Sequence, residues 1–461
     1  MNMVSHETKQ IDWFLTHGVE AILPSREALR EKLLSGARLR IYHGIDPTGP
    51  TLHLGHTIPL RKLAELQALG HEIILLIGDF TAMIGDPTDK TATRKKQTRE
   101  EVLANCALYK EQASKFLSFA GPNAASFRFN SEWLAKMSFA DVVELASHFT
   151  VQQMLERDMF SKRDSYAYVC SNCGTEQTWS SLRFNPDFGV RTSDAGKELT
   201  ANRICKKCKH ETSFDEVKSR LISPRPIYLH EFFYPLMQGQ DSVALDVDLE
   251  IGGNDQLFNM LAGRTLLREV KQKEKLVLTV KLLTDPTGKK MGKSEGNMIA
   301  MTDAPEDMYG EVMNWSDEMI LPGFEICTDK TEEELEEVRD ALKGGENPMQ
   351  WKRYLAHRIV ADLVSEDAAN AAADHFSKVH QEHEKPEEIA EVHVSSASLS
   401  LIDALVEGGL VPSKSEARRQ IEQGGIRVDD QPVTDVKAMI DIGKNGVVIQ
   451  KGKRHFIKLI V

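Results

Sequence analysis

The chain has 461 residues, 41% hydrophobic and 27% charged, with 57 Lys and Arg against 69 Asp and Glu for a net charge of −12. This balance excludes collagen-like, mucin-like and wholly disordered chains, and the acidic excess excludes a non-specific nucleic-acid coat. No run approaches the ~18 apolar residues of a membrane helix and the first ten residues carry no export-signal pattern, so a cytoplasmic chain of about three domains is expected.

In chain order, residues 39–45 read as a buried strand, followed by a loop punctuated by Pro47, Gly49 and Pro50. Apolar residues recur at helical spacing over 55–69, and Gly70 stops the helix. The almost wholly apolar run 72–78 reads as a central parallel strand. Strand, helix, strand is a crossover unit, which predicts a doubly wound α/β domain whose ligands sit beyond the carboxyl ends of the strands. The loops 44–54 and 79–96 lie there. Helical periodicity follows over 99–117 and 140–159. Residues 164–222 turn polar and hold four clustered cysteines. Strands are predicted over 245–251 and 276–283 with a helix over 255–270 between them. The stretch 303–380 reads as helical, 385–397 as a linker, and 398–461 as a compact module.

His53-Leu54-Gly55-His56 opens the first helix of the α/β unit. A metal pair is one reading of histidines three apart, but no third ligand with suitable spacing follows. The stronger reading is an anion site: free N–H groups and a positive dipole end at the helix start, a glycine on which something large can pack, and imidazoles as donors. Far downstream, Gly288-Lys289-Lys290-Met291-Gly292-Lys293-Ser294-Glu295-Gly296 is a glycine-rich mobile loop whose lysines suit phosphate. By itself it also fits a solvated basic loop. Together the two motifs resemble the signature of class I aminoacyl-tRNA synthetases, with Gly292 where the family usually has serine.

Tyr42 near the end of the first strand, Tyr234 to Asp241 spanning two turns of a helix, and Gly252-Gly253-Asn254-Asp255-Gln256 narrow the resemblance to the tyrosyl-tRNA synthetases. Gly85-Asp86-Pro87 and residues 148–158 are also similar to that family. The resemblance implies a Rossmann-like doubly wound parallel-sheet catalytic domain over 1–163 and 223–300, a helical anticodon-side domain over 301–384, and a small α+β RNA-binding domain over 398–461. It implies a ligase that activates L-tyrosine with ATP and Mg2+ and passes it to tRNA(Tyr), acting as a homodimer. Tyr42 and Asp241 would bond the substrate phenol, and Asp86, Tyr234 and Gln238 would receive its ammonium group. Gln256 would lie at the reacting carboxylate and α-phosphate, and Asp255 at a ribose hydroxyl. Gly44, Asp46, Thr48, His53, Gly55 and His56 would line the nucleotide side. Lys90, Arg94, Lys290 and Lys293 would grip pyrophosphate. The residues alone also fit plainer roles: Tyr234 a core tyrosine, Asp46 a turn former, Lys90 and Arg94 surface charges. Glu250 stands where many members have glutamine, and His43 where some have cysteine. A tryptophanyl enzyme, or a non-catalytic RNA-binding regulator on the same fold, are the alternatives. The Tyr42/Asp241 pair argues against the first and the loop lysines against the second.

Cys170-x-x-Cys173 and Cys205-x-x-Cys208 can supply a closed tetrahedral zinc site, so 164–222 is expected to be a zinc-binding insertion. The tail carries ten Lys and Arg against eight Asp and Glu, the electropositive end of an acidic chain. Its segment 411–428 resembles a small RNA-binding domain named after a ribosomal small-subunit protein. Lys414, Arg418 and Arg419 are its candidate phosphate contacts.

Overall fold

A computed structural model describes the chain except residues 1–3, 87–96, 156–164, 170–171, 174–175, 181–183, 186–188, 191–202, 205–206, 210, 213–227, 293–296, 381–388, 390, 395, 412, 444–445, 453–454 and 461. Two compact units are present: residues 1–303 with 316–346, and 304–315 with 347–461. The helices of the 301–384 stretch are therefore shared between them.

The first unit is built on a six-stranded sheet of β1 (Val19–Leu23), β2 (Arg40–Ile45), β3 (Glu72–Ile77), β4 (Ser126–Phe129), β5 (Leu249–Gly253) and β6 (Leu276–Val280). Their spatial order is β1-β6-β5-β2-β3-β4, parallel throughout except for the antiparallel edge strand β1. The middle strands read as apolar runs because both faces are covered: all five residues of β6 are buried, as are Ile73 to Ile77 of β3. Helix α1 (Leu54–Ala68) joins β2 to β3, and α3 (Leu257–Lys271) joins β5 to β6. From the sheet centre the two crossovers run outward in opposite directions. Right-handed crossovers then place α1 and α3 on opposite faces and leave a switch point between β2 and β5. Helix α2 (Leu229–Leu245) precedes β5 and packs against α3.

Several expectations shift in detail. The strand expected over 245–251 begins only at Leu249, because Asp246 at φ 52° takes the left-handed cap that ends α2 at Leu245. The helical stretch 99–117 is two helices, Arg99–Cys106 and Tyr109–Ala113, and 140–159 contains Phe139–Ser147 and Val151–Leu155. Helices Ile320–Cys327 and Glu332–Lys343 also belong to this unit. Within 164–222 the described residues form short antiparallel hairpins, Ser165–Val169 with Glu176–Ser180 and Arg203–Ile204 with Glu211–Thr212. Cys173 and Cys208 each fall in a turn between the strands of one of these hairpins.

The second unit packs helices Pro305–Met313, Pro348–Leu363 and Glu366–His380 together. Its C-terminal part is α+β as expected. A five-stranded sheet includes Val447–Lys451 and His455–Ile460, and helices Leu401–Glu407 and Lys414–Glu422 pack on it through Leu405, Ile421, Ile449 and Leu459.

Candidate active site

A cavity of about 500 Å3 opens at the carboxyl ends of β2 and β5, the switch point of the sheet. Tyr42, Gly44, Asp46 and Thr48 reach it from β2 and its loop. His53, Gly55 and His56 reach it from the start of α1, and Tyr234, Gln238 and Asp241 from α2. Asp255 and Gln256 follow β5, while Asp86 and Lys290 come from loops. Lys90, Arg94 and Lys293 lie outside the described residues.

Positions 53 and 300 meet through main chain. His53 bridges Ala300, Leu54 N donates to Ile299 O at 2.9 Å, and Met301 N donates to Leu52 O at 2.8 Å. The lysine-bearing segment ahead of this seam is a tight hairpin in which Lys290 bridges Thr284 and Asp285 caps the Thr287 and Lys289 amides. Gly288 turns it at φ 82°, a conformation that glycine adopts without strain. Lys290 Nζ then reaches Asp255 at 2.6 Å.

His53 is the N-cap of α1. Its Nδ1 accepts from Gly55 N at 3.1 Å, while the His53 amide donates to His56 Nδ1 at 3.1 Å. The packing partner of Gly55 is thus internal: a Cβ there would stand 2.9 Å from the His53 ring. Both Nδ1 atoms act as acceptors, so both rings are neutral and carry their proton on Nε2. Burial, with Lys290 nearby, pushes His53 down to about 4, and burial holds His56 well below its ordinary range. Neutral imidazoles at a helix start are hydrogen-bond donors to an anion through Nε2–H.

At the other end of the cavity, Tyr42 and Asp241 are 1% and 3% exposed. The Tyr42 hydroxyl lies 3.1 Å from Ser242 Oγ. Asp241 accepts from Trp133 Nε1 at 2.8 Å and from Asn130 Nδ2 at 3.3 Å. Both donors are neutral, and burial raises the Asp241 carboxyl well above the usual carboxylate range. Burial likewise raises the Tyr42 and Tyr234 hydroxyls, keeping them protonated donors. Between the two ends, Tyr234 OH donates to Asp46 Oδ2 at 2.9 Å, Thr81 Oγ1 donates to Asp46 Oδ1 at 2.7 Å, and Gln256 Nε2 donates to Asp86 Oδ2 at 2.7 Å. The cavity thus presents a polar slot deep in the sheet, a row of carboxylates at its middle, and donors with a cation at its mouth.

Comparison with known proteins shows the family. The profile "tRNA synthetases class I (W and Y)" matches residues 34–168 and 202–381, and "Tyrosine--tRNA ligase SYY-like C-terminal domain" matches 382–459. The tyrosine–tRNA ligase of Moorella thermoacetica is 39% identical over 450 residues, covering 96% of this chain and 94% of that one. The chain belongs to the class I tyrosine–tRNA ligase family. The Haemophilus influenzae ligase is also 39% identical, over 446 residues, with 96% and 95% covered. Among solved structures, the tyrosyl-tRNA synthetase of Archaeoglobus fulgidus complexed with L-tyrosine matches with a TM-score of 0.54 at 21% identity, over 80% of this chain and all of that one. At that identity the likeness concerns the fold.

Several residues that shape this synthetase site carry no motif. Ser242, Trp133, Asn130 and Thr81 are the hydrogen-bond partners of Tyr42, Asp241 and Asp46. Gly78 leaves room for Asp46, since a Cβ there would stand 1.9 Å from Oδ1. Lys275 is buried and paired with Glu250. One signal for that pair was legible: a glutamate inside the apolar run of β5 requires a buried partner. Of the zinc candidates, Cys173 and Cys208 sit half-buried in turns, and Cys170 and Cys205 lie outside the described residues. Among the described residues no group of three or more His, Cys, Asp or Glu is placed to hold a metal. On the tail, Lys414, Arg418 and Arg419 are exposed on helix Lys414–Glu422; Lys414 pairs with Asp403 and Arg419 with Glu416, each at 2.7 Å.

Proposed function

We infer that the chain is a tyrosine–tRNA ligase that joins L-tyrosine to ATP, supplied as its Mg2+ complex, and then passes the tyrosyl group to the 3′ end of tRNA(Tyr). The observation that carries this reading is the buried Tyr42/Asp241 pair at the closed end of a cavity whose mouth is lined by His53, His56 and Lys290. The tyrosine phenol lies between Tyr42 and Asp241. A pocket whose own polar groups are left unpaired by phenylalanine rejects it by a large factor. The ammonium group meets Asp86, Tyr234 and Gln238. One carboxylate oxygen, positioned by Gln256, attacks the α-phosphorus in line; the bond to the bridging oxygen breaks and pyrophosphate leaves with its electrons. No side chain becomes covalently attached, so catalysis is positioning plus stabilisation of phosphate charge. Asp255 holds the ribose, with Gly44, Asp46, Thr48 and Gly55 along the nucleotide. Lys90, Arg94, Lys290 and Lys293, with His53 and His56, stabilise the departing pyrophosphate. In the second step a hydroxyl of the terminal adenosine attacks the tyrosyl carbonyl and AMP leaves.

The assay is exchange of labelled pyrophosphate into ATP. Exchange should depend on tyrosine and not on tryptophan; folded protein that supports no exchange with any amino acid overturns the reading.

Three further parts of the proposal rest on other features. Helix Lys414–Glu422 contacts tRNA phosphates: its pairs with Asp403 and Glu416 are exposed, so they contribute little and are readily exchanged for phosphate. A homodimer covers the apolar face of helices Phe139–Ser147 and Val151–Leu155 with the start of α2, where Phe139 is 82% and Leu229 79% exposed. Phe139→Asp should halve the sedimenting mass. Zinc held by Cys170, Cys173, Cys205 and Cys208 is a structural cross-link within the 164–222 segment, for which four thiolates are a suitable donor set. Metal analysis should find one equivalent per chain. The place of action is the cytoplasm, where tRNA is charged.

A further inference from the structure

Behind the phenol pocket lies an ion pair with no counterpart in the motifs. Glu250 and Lys275 are 2% and 1% exposed. Lys275 Nζ donates to Glu250 Oε2 and, at 2.9 Å, to Ser242 Oγ. The second Glu250 oxygen accepts from Gln238 Nε2 at 2.9 Å, and Ser242 Oγ stands 3.1 Å from the Tyr42 hydroxyl. Five side chains thus form one line, Gln238–Glu250–Lys275–Ser242–Tyr42, running from the middle of the cavity, through the protein behind it, to its closed end.

An ammonium group donates and cannot accept. Ser242 therefore receives a hydrogen from Lys275 and keeps its own to give. Among the described residues its only other partner is Tyr42, so a satisfied arrangement has Ser242 donating to the Tyr42 oxygen. The Tyr42 hydrogen is then not taken by Ser242 and stands between the Glu250 carboxylate and the cavity, where a substrate hydroxyl competes for it. Asp241, next along α2, already receives hydrogens from Trp133 and Asn130 and presents an acceptor. The closed end then offers one donor and one acceptor to a single atom. A hydroxyl satisfies both at once; a bare ring satisfies neither.

We propose that Lys275, paired with Glu250, is a positioning residue that sets the direction of the Ser242–Tyr42 hydrogen bond and thereby makes the pocket selective for a ring hydroxyl. This deepens the proposed function and rests on its placement of the phenol at Tyr42 and Asp241. Replacing the pair by neutral groups of similar shape removes both buried charges together, a change that proteins often tolerate. Without the ammonium donor, Ser242 is open to accept from Tyr42, and the pocket loses its fixed donor.

The test compares kcat/KM in pyrophosphate exchange for tyrosine and phenylalanine. In the doubly substituted E250Q/K275M protein the ratio should fall about tenfold, through the KM for tyrosine, while the KM for ATP stays within twofold. A ratio within twofold of the parent overturns the proposal. Tyr42→Phe is the control for the underlying reading: if it leaves the ratio unmoved, the phenol lies elsewhere and the proposal falls with that reading. If Tyr42→Phe lowers the ratio and the double substitution does not, only the role of the pair is lost. Should the double substitution prevent folding, neutron diffraction on deuterium-exchanged parent protein decides. Deuterium on Ser242 Oγ directed at the Tyr42 oxygen is expected; deuterium on Tyr42 directed at Ser242 refutes the proposal.

Discussion

Asp241→Asn separates the fold from the chemistry most sharply. The carboxylate accepts from Trp133 Nε1 at 2.8 Å and Asn130 Nδ2 at 3.3 Å. An amide keeps one acceptor oxygen. Trp133, the closer donor, takes it, and the new NH2 group then faces the NH2 of Asn130. The substrate phenol loses its acceptor. A hydrogen bond to a charged partner contributes about 1.5–3 kcal/mol, so kcat/KM for tyrosine should fall roughly 10- to 150-fold. Phenylalanine never used that acceptor, and its kcat/KM should change less than about threefold. The fold responds differently. The described partners of Asp241 are neutral, and Asp46 and Glu250 add like charge. Removing the carboxylate therefore removes a desolvation cost while the facing NH2 groups add an unpaired-donor cost of similar size, about 1–3 kcal/mol, so the urea midpoint should move little. Pyrophosphate exchange with both amino acids, beside urea unfolding, measures all three quantities. Equal losses for tyrosine and phenylalanine, or a large shift of the midpoint, would refute the reasoning.

Gly78→Ala places a Cβ 1.9 Å from Asp46 Oδ1 and 2.4 Å from Thr81 Oγ1. The carboxylate must leave Thr81 and Tyr234, which should cost about 1–3 kcal/mol of unfolding free energy and slow exchange about 100-fold. His53 is held near 4 against an ordinary 6.5, so its neutral form favours the folded state. That contribution is complete above pH 6.5 and is lost as pH falls toward 4, up to about 3 kcal/mol. His53→Asn retains a capping oxygen but does not titrate, so the acid-side fall in unfolding free energy should be shallower by that amount. Lys290→Ala removes a half-exposed partner of Asp255. Stability should move by less than about 0.5 kcal/mol, whereas single-turnover adenylate formation should slow about 100-fold or more. Equal damage to both would show Lys290 to be structural.

The parts of this site that were legible in the sequence are those with a local rule behind them. The apolar run of β3 and the periodicity of α1 specify a crossover, and the His53 and Lys290 segments carry residue types suited to phosphate. Tyr234, Gln238 and Asp241 share a helix, so their spacing alone aligns them. What escaped has no local rule. Lys275 heads an apolar strand as any surface lysine might, and only tertiary packing buries it against Glu250. Trp133 and Asn130 lie just after β4, a strand of four residues too short to show alternation. Strand β1 was missed for a related reason: its five residues, with Glu20 among them, are too few to show a clear run or alternation, and at the edge of the sheet most are only part-buried. The start of β5 was misplaced by the apolar end of α2, because the residue that divides them, Asp246, acts through a backbone angle that composition does not reveal.

The seam between residues 52–54 and 299–301 is made by amides and carbonyls rather than by side chains. The joining of the two halves of the nucleotide site therefore depends on no particular side chain there, although His53 has its own role and Leu52, Leu54, Ile299, Ala300 and Met301 are buried. Proline at 54 or 301 would delete one stitch outright, so the hydrogen bonds themselves exclude that one residue type.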